Sequence, residues 1–110
     1  MGFVKAASAG DVPRGSARRL EVGGRAVLLA NVDGDFYAVS DTCSHMGGAL
    51  SKGAFADGVV ACPRHGAQFE VRSGRNVRSP KILFFKGKAH DLPTYPVRIE
   101  GDDVLIDVGG

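Results

Sequence analysis

The chain has 110 residues, of which 44% are apolar and 24% are charged, and its formal net charge is +2. That length supports one domain with a substantial core, and the composition is that of an ordinary soluble globular protein. The small net charge gives no argument for nucleic-acid binding, and no apolar run approaches the roughly 20 residues that span a bilayer.

The first half of the chain contains strand-like stretches at 3–6, 19–22, 25–32 and 36–39. The stretch 25–32 is aliphatic and nearly continuous, which predicts a strand buried on both faces. The pair Asp33-Gly34 separates it from 36–39, and an Asp-Gly pair between two strands is a strong signal for a hairpin.

The second half contains short strand-like stretches at 59–62 and 68–71, and a closing hairpin at 96–100 and 103–108. In the last stretch Val104, Ile106 and Val108 occupy every second position, which places them on one face of a strand. Sixteen glycines and five prolines favour short strands and tight turns over long helices. We therefore predict an all-β protein, built as a small sandwich or barrel-like stack of sheets.

Both cysteines belong to short pairs of metal-binding residues, Cys43-Ser44-His45 and Cys62-Pro63-Arg64-His65. Each pair offers one thiolate and one imidazole from a single loop. Two such loops together provide two sulfur and two nitrogen donors, which suit either a mononuclear zinc ion or a Rieske-type two-iron two-sulfur cluster.

Glycines follow both pairs, and they allow backbone N–H groups to approach a bound anion such as inorganic sulfide. Gly53 and Gly58 lie between the pairs and favour a hairpin there, whereas the second pair of a zinc finger would sit on a helix. The first residues lack the basic start and apolar stretch of a signal peptide. We therefore expect a cytoplasmic protein, in which two cysteines are metal ligands rather than a disulfide.

The two pairs and their surroundings resemble the two-box signature of Rieske proteins. The residues that carry this resemblance are Thr42-Cys43-Ser44-His45-Met46-Gly47-Gly48-Ala49-Leu50 and Cys62-Pro63-Arg64-His65-Gly66. The flanking stretches 33–39, 68–75 and 92–97 are also similar to those of the family. The chain is most similar to the small Rieske ferredoxins that serve bacterial aromatic-ring oxygenases.

The resemblance implies a Rieske fold in a single domain, residues 1–110. Stacked antiparallel sheets would support a cluster-binding subdomain of two projecting loops, at about 42–50 and 61–69. It also implies one Rieske [2Fe-2S] cluster with four protein ligands. Cys43 and Cys62 would bind the inner iron, and His45 and His65 would bind the outer iron.

Four positions depart from the respiratory branch of that family. Gly48 and Arg64 stand where that branch has two further cysteines, so no disulfide can cross the cluster. Ala67 and Phe69 stand where it has a serine and a tyrosine that donate hydrogen bonds to the sulfurs. Because each missing donor removes stabilisation of the reduced state, we predict a low potential, near roughly −150 mV.

The resemblance implies an electron-transfer component of a multicomponent oxygenase system, with no catalytic residue of its own. Electrons would come from a flavin-dependent ferredoxin reductase that uses NAD(P)H and would pass to a terminal oxygenase of aromatic hydrocarbon catabolism. We expect a monomer with no nucleic-acid or membrane partner. Two alternatives stay open: a Rieske-like small subunit of a reductase complex such as nitrite reductase, and a zinc-binding interaction module.

Charge is unevenly distributed along the sequence. Residues 64–88 carry +6, which leaves −4 for the rest of the chain. This segment forms either a solvated basic face or a docking surface for an acidic partner. Its basic residues are Arg64, Arg72, Arg75, Arg78, Lys81, Lys86 and Lys88.

Overall fold

The computed structural model describes residues 2–43, 48–64, 66–78, 81–82, 85–86 and 90–109. Within them lie thirteen strands and two 3-10 turns, Ala9–Asp11 and Leu50–Lys52. The strands are β1 (Val4–Ser8), β2 (Ala17–Val22), β3 (Arg25–Val32), β4 (Asp35–Ser40), β5 (Phe55–Ala56), β6 (Val59–Ala61), β7 (Gln68–Glu70), β8 (Asn76–Arg78), β9 (Lys81–Ile82), β10 (Phe85–Lys86), β11 (Thr94–Tyr95), β12 (Val97–Glu100) and β13 (Asp103–Ile106).

The strands form antiparallel sheets, three of which build the body of the molecule. A central sheet has the order β11-β4-β3-β2, a second has the order β5-β6-β7-β8, and a third has the order β1-β13-β12. Within the described part of the chain, strands β9 and β10 pair only with each other. Among the described residues, no helix is long and apolar enough to cross a membrane. The prediction of an all-β fold of stacked antiparallel sheets is confirmed.

Strand β3 belongs to two cores because alternate side chains leave opposite faces of the central sheet. Leu28, Ala30 and Val32 face the β5–β8 sheet, in what we call the loop-side core, together with Cys43, Leu50, Val60, Cys62, Ala67 and Phe69. Val27 and Leu29 face the β1-β13-β12 sheet, in what we call the distal core, together with Val104 and Ile106. The aliphatic run at 25–32 is thus buried on both faces, as predicted.

Two Asp-Gly pairs shape the hairpins that the sequence indicated. Asp33 and Gly34 have φ values of 55° and 96° between β3 and β4, and Asp57 and Gly58 have 52° and 77° between β5 and β6. Positive φ at both central residues twists the turn in the sense that antiparallel strands need. The segment between the two Cys/His pairs therefore contains a hairpin, β5–β6, as predicted. The 3-10 turn Leu50–Lys52 precedes it.

One polar side chain is buried in β3. Asn31 is 6% exposed, its Nδ2 donates to the Val12 carbonyl at 2.8 Å, and its Oδ1 accepts from the Gly34 N–H at 2.8 Å. The first bond fixes Asn31 against the segment that holds Val12, and the second fixes it against the Asp33-Gly34 turn. The hydrogen bonds of Asn31 therefore favour one register of β3 relative to the neighbouring segments.

Candidate metal centre

The first loop starts where β4 ends and holds Cys43. The Asp41 N–H donates to the Ala26 carbonyl at 3.0 Å, which extends the pairing of β4 with β3 by one step. Thr42 and Ala49 then form an antiparallel bridge, and the Cys43 N–H donates to the Gly48 carbonyl at 2.7 Å. The loop is therefore closed at its base, and Cys43, only 2% exposed, points into the loop-side core.

The second loop connects β6 with β7 and holds Cys62. The Cys62 N–H donates to the Ala67 carbonyl at 2.7 Å, and the Gly66 N–H donates to the Cys62 carbonyl at 3.1 Å. Cys62 is 3% exposed and belongs to the same core as Cys43. In both loops the cysteine N–H bonds to the carbonyl five positions later, so the two loops present their cysteines in the same way.

The two loops touch each other at Gly48. A Cβ atom built on Gly48 would lie 3.2 Å from Cys62 Sγ and 3.2 Å from Arg64 Cδ, which is closer than ordinary van der Waals contact. Absence of a side chain at this position therefore lets the first loop approach the second cysteine. Cys43 and Cys62, both within the described residues, are not joined in a disulfide.

The structure describes two of the four predicted ligands, Cys43 and Cys62. It places both cysteines in the loop-side core. His45 and His65 lie outside the described residues, so their part in the site stays a prediction. The two buried thiols in facing loops fit a metal cluster, since thiolates are the protein ligands that hold iron–sulfur centres.

Ala67 and Phe69 lie beside the cysteines in the loop-side core, at 1% and 0% exposure. Neither side chain has a hydroxyl group, so neither can donate a hydrogen bond to a sulfur atom. The reason for expecting a low potential is therefore present in the structure, and the potential itself stays a prediction.

A functional candidate that the sequence analysis missed is Asp41. It is 0% exposed and is one of two buried polar or charged residues among those described, with Asn31. An aspartate directly after a strand usually begins a solvent-exposed turn. The sequence held no signal for its burial, because one of its partners, Arg19, lies 22 positions away.

The structure divides the basic segment. Arg64 belongs to the second loop. Arg78 lies close to that loop, because it pairs with Gln68, the first residue of β7. Arg72 follows the other end of β7, where its guanidinium carbon lies 5.9 Å from the centre of the Tyr37 ring. All three side chains are exposed. Lys88 and the side chains of Lys81 and Lys86 lie outside the described residues. Only part of the segment therefore borders the loops.

Comparison with known proteins gives consistent results over the whole chain. The family described as Rieske [2Fe-2S] domain matches residues 2–96. The ferredoxin component of biphenyl 2,3-dioxygenase from Rhodococcus jostii (strain RHA1) is 42% identical over 110 residues, 100% of this chain and 96% of that protein. The biphenyl dioxygenase ferredoxin subunit of Pseudomonas sp. (strain KKS102) is 43% identical over 108 residues, 97% of this chain and 93% of that protein.

A solved structure shows the same fold. It is a complex of reduced oxygenase and oxidized ferredoxin in carbazole 1,9a-dioxygenase, and the similarity covers 94% of this chain and 91% of the matching chain. The TM-score is 0.80 at 30% sequence identity.

These similarities confirm the resemblance found in the sequence and the Rieske fold that it implied. They also confirm the expected cofactor, a Rieske [2Fe-2S] cluster in place of zinc, and an electron-transfer role in place of a catalytic one.

Proposed function

The chain belongs to the Rieske [2Fe-2S] domain family, and from this premise we propose that it is a soluble one-electron carrier. It takes electrons from an NAD(P)H-dependent flavin reductase and passes them to a terminal Rieske non-haem iron oxygenase. The observation that carries this proposal is the similarity, from end to end, to ferredoxin components of two biphenyl dioxygenases. We accordingly propose an aromatic hydrocarbon as the substrate of the oxygenase.

Four residues hold the cluster in this proposal. Cys43 and Cys62 would bind one iron as thiolates from the loop-side core, where both are buried. His45 and His65 would bind the other iron as neutral imidazoles. The bound cluster supplies a one-electron redox couple. Replacing two thiolates by imidazoles raises its reduction potential above that of all-cysteine ferredoxins.

The protein's own residues exclude water from one side of the cluster site. Ala67, Phe69 and Leu50 are buried around the two cysteines and present only apolar atoms to that side. Burial in apolar surroundings is one of the factors that set the potential of an iron–sulfur centre. In this proposal electrons enter and leave on the side of the cluster site that faces away from this core, which suits a carrier that meets two partners in turn.

A reconstitution experiment tests the function. Purified protein would be mixed with NADH and the flavin reductase of a biphenyl dioxygenase system, and reduction of the cluster would be followed by its visible absorbance. Adding the terminal oxygenase with biphenyl and oxygen should reoxidise the cluster and form a hydroxylated product. The Cys62→Ser variant, which lacks a proposed ligand, is the control.

Either of two results would contradict the proposal. One is a cluster that the reductase does not reduce while dithionite does. The other is tight copurification with a large subunit, which would make the protein a built-in relay rather than a mobile carrier. We also propose a cytoplasmic, single-domain monomer, and sedimentation of the purified protein tests the monomer.

A further inference from the structure

Asp41 is the most deeply buried charged side chain among the described residues. Its side chain has 0% exposure, and it stands between the end of β4 and Cys43. Burying a carboxylate costs several kcal/mol unless other groups compensate the lost hydration. A residue of this kind at this position therefore requires an explanation from its contacts.

Three hydrogen bonds satisfy the carboxylate. Oδ1 accepts from the Ser51 N–H at 2.7 Å, and Oδ2 accepts from the Ser51 hydroxyl at 2.9 Å. Oδ2 also accepts from Arg19 Nη1 at 3.3 Å, and this contact is an ion pair with a side chain that is 47% exposed. Arg19 projects from the face of β2 that looks toward the loop-side core, because it pairs with Leu28.

These contacts join the two ends of the first loop. The backbone of Asp41 accepts the Leu50 N–H at 2.8 Å, while its side chain holds Ser51. Together with the Thr42–Ala49 bridge and the bond from the Cys43 N–H to the Gly48 carbonyl, these contacts of Asp41 close the base of the loop that holds Cys43. The second loop has no need of such a group, since β6 and β7 pair directly beneath it.

We propose that Asp41 is a positioning residue for the cluster, which it serves through Cys43. It fixes the span of the first loop, and its negative charge, balanced by Arg19, contributes to the reduction potential. This proposal rests on the proposed ligand role of Cys43. A buried negative charge disfavours the more negative, reduced state of the cluster, and the Arg19 guanidinium offsets that effect.

Three variants of the cluster-loaded protein separate the two roles. Asp41→Asn keeps the shape and removes the charge, Arg19→Gln removes the balancing charge, and Ser51→Ala removes a hydrogen bond without changing the charge. Arg18→Gln is the matched control, because Arg18 pairs with Leu29 and therefore lies on the opposite face of β2. The measurements are the potential by voltammetry, the electron paramagnetic resonance spectrum of the reduced cluster, and the rate of cluster release to an iron chelator.

The expected results differ in sign. The potential should rise in Asp41→Asn and fall in Arg19→Gln, while Ser51→Ala leaves it unchanged. Cluster release should become faster in Asp41→Asn and Ser51→Ala, on the order of tenfold for the loss of a charge-assisted hydrogen bond. Arg18→Gln should match the parent protein in all three measurements.

A purely structural role would lower the resistance to urea and leave potential, spectrum and release rate unchanged, and that result would overturn the proposal. Shifts of the same sign in Asp41→Asn and Arg19→Gln would overturn it too. If Asp41→Asn does not fold, Arg19→Gln and Ser51→Ala decide the matter. A cluster retained with normal spectrum in Cys43→Ser would instead refute the ligand assignment, so the two failures are distinguishable.

Discussion

The two loops close in the same way but rest on different supports. In each, the cysteine N–H bonds to a carbonyl five positions later, at 2.7 Å. The second loop joins two paired strands, β6 and β7, above an apolar base that includes Val60 and Phe69. The first loop leaves β4 and returns through a 3-10 turn, and its base is tied by the buried carboxylate of Asp41. In this protein a hairpin supports the second loop, whereas a buried polar side chain helps to tie the first loop, which connects unlike elements.

The largest effect should come from removing either thiolate. Cys43→Ser and Cys62→Ser should each abolish the Rieske spectrum, because serine is a poor substitute for the soft thiolate ligand of an iron–sulfur cluster. Iron content and the spectrum of the reduced protein measure the loss. Equal losses would show that the two loops contribute alike despite their different supports, and a retained cluster in one variant would remove that cysteine from the ligand set.

A cavity beneath the first loop should loosen the cluster as well as the fold. Leu50→Ala should lower the free energy of unfolding by about 2–5 kcal/mol, and chelator-driven cluster release should accelerate. Ile106→Ala in the distal core is the matched control, because both side chains are 0% exposed and the expected cost in stability is similar. Equal acceleration of cluster release in both variants would show that packing in the loop-side core stabilises the first loop no more than packing in the distal core does.

Crowding the contact between the loops should have a smaller effect. Gly48→Ala places a Cβ 3.2 Å from Cys62 Sγ, and such overpacking costs about 1–3 kcal/mol. The spectrum of the reduced cluster should change, since the displaced atom, Cys62 Sγ, belongs to a proposed ligand. Gly66→Ala is the control for backbone effects: its φ is +77° and a Cβ there meets nothing within 4 Å. The same spectral change in Gly66→Ala would contradict the role given to the loop contact.

A single hydroxyl beside the second loop should shift the potential modestly. Phe69→Tyr adds a hydrogen-bond donor at a residue that is 0% exposed and packs in the core with both cysteines. The potential should rise, and a differential stabilisation of about 1 kcal/mol corresponds to on the order of 40 mV for a one-electron couple. Voltammetry measures the shift. A lower potential would contradict the argument that missing hydroxyl donors keep the potential low.

The smallest effect concerns charge around the second loop. The double variant Arg64→Glu, Arg78→Glu should be reduced or oxidised more slowly by one redox partner at low salt, and the difference should vanish as salt rises. The control is Arg72→Glu, which changes charge at the other end of β7. Stopped-flow rates at several salt concentrations test this, and rates that match the parent at every concentration would exclude a docking role for these arginines.

Much of the fold was predictable because its signals are local. The Asp33-Gly34 pair predicts a turn with positive φ at both positions, and both have it. The run at 25–32 predicts burial on two faces. Strand β8 was not predicted, since Asn76–Arg78 has no apolar alternation and forms the edge of its sheet. Strand β11, Thr94–Tyr95, is too short to show a period and lies between two prolines.

The candidate site likewise contains residues that local sequence signals reveal and one residue that they do not. Its cysteines stand in two short motifs, so the sequence alone identified them and the structure places them in one core. Asp41 was missed because its role depends on contacts with Arg19 and Ser51, which lie 22 and 10 positions away. Local spacing indicates candidate ligands of a cofactor, whereas candidate supporting groups become visible only through their tertiary contacts.

Asn31 has a consequence for how the chain finds its native pairing. The residues of β3 on both sides of the sheet are aliphatic, so a strand displaced by one position would still bury hydrophobic groups on each face. It would, however, move the Asn31 amide away from the Val12 carbonyl that accepts its hydrogen bond. An unsatisfied buried amide costs about 1–3 kcal/mol. One asparagine thus makes misaligned folding intermediates less stable and favours the alignment in which both cysteine loops can meet.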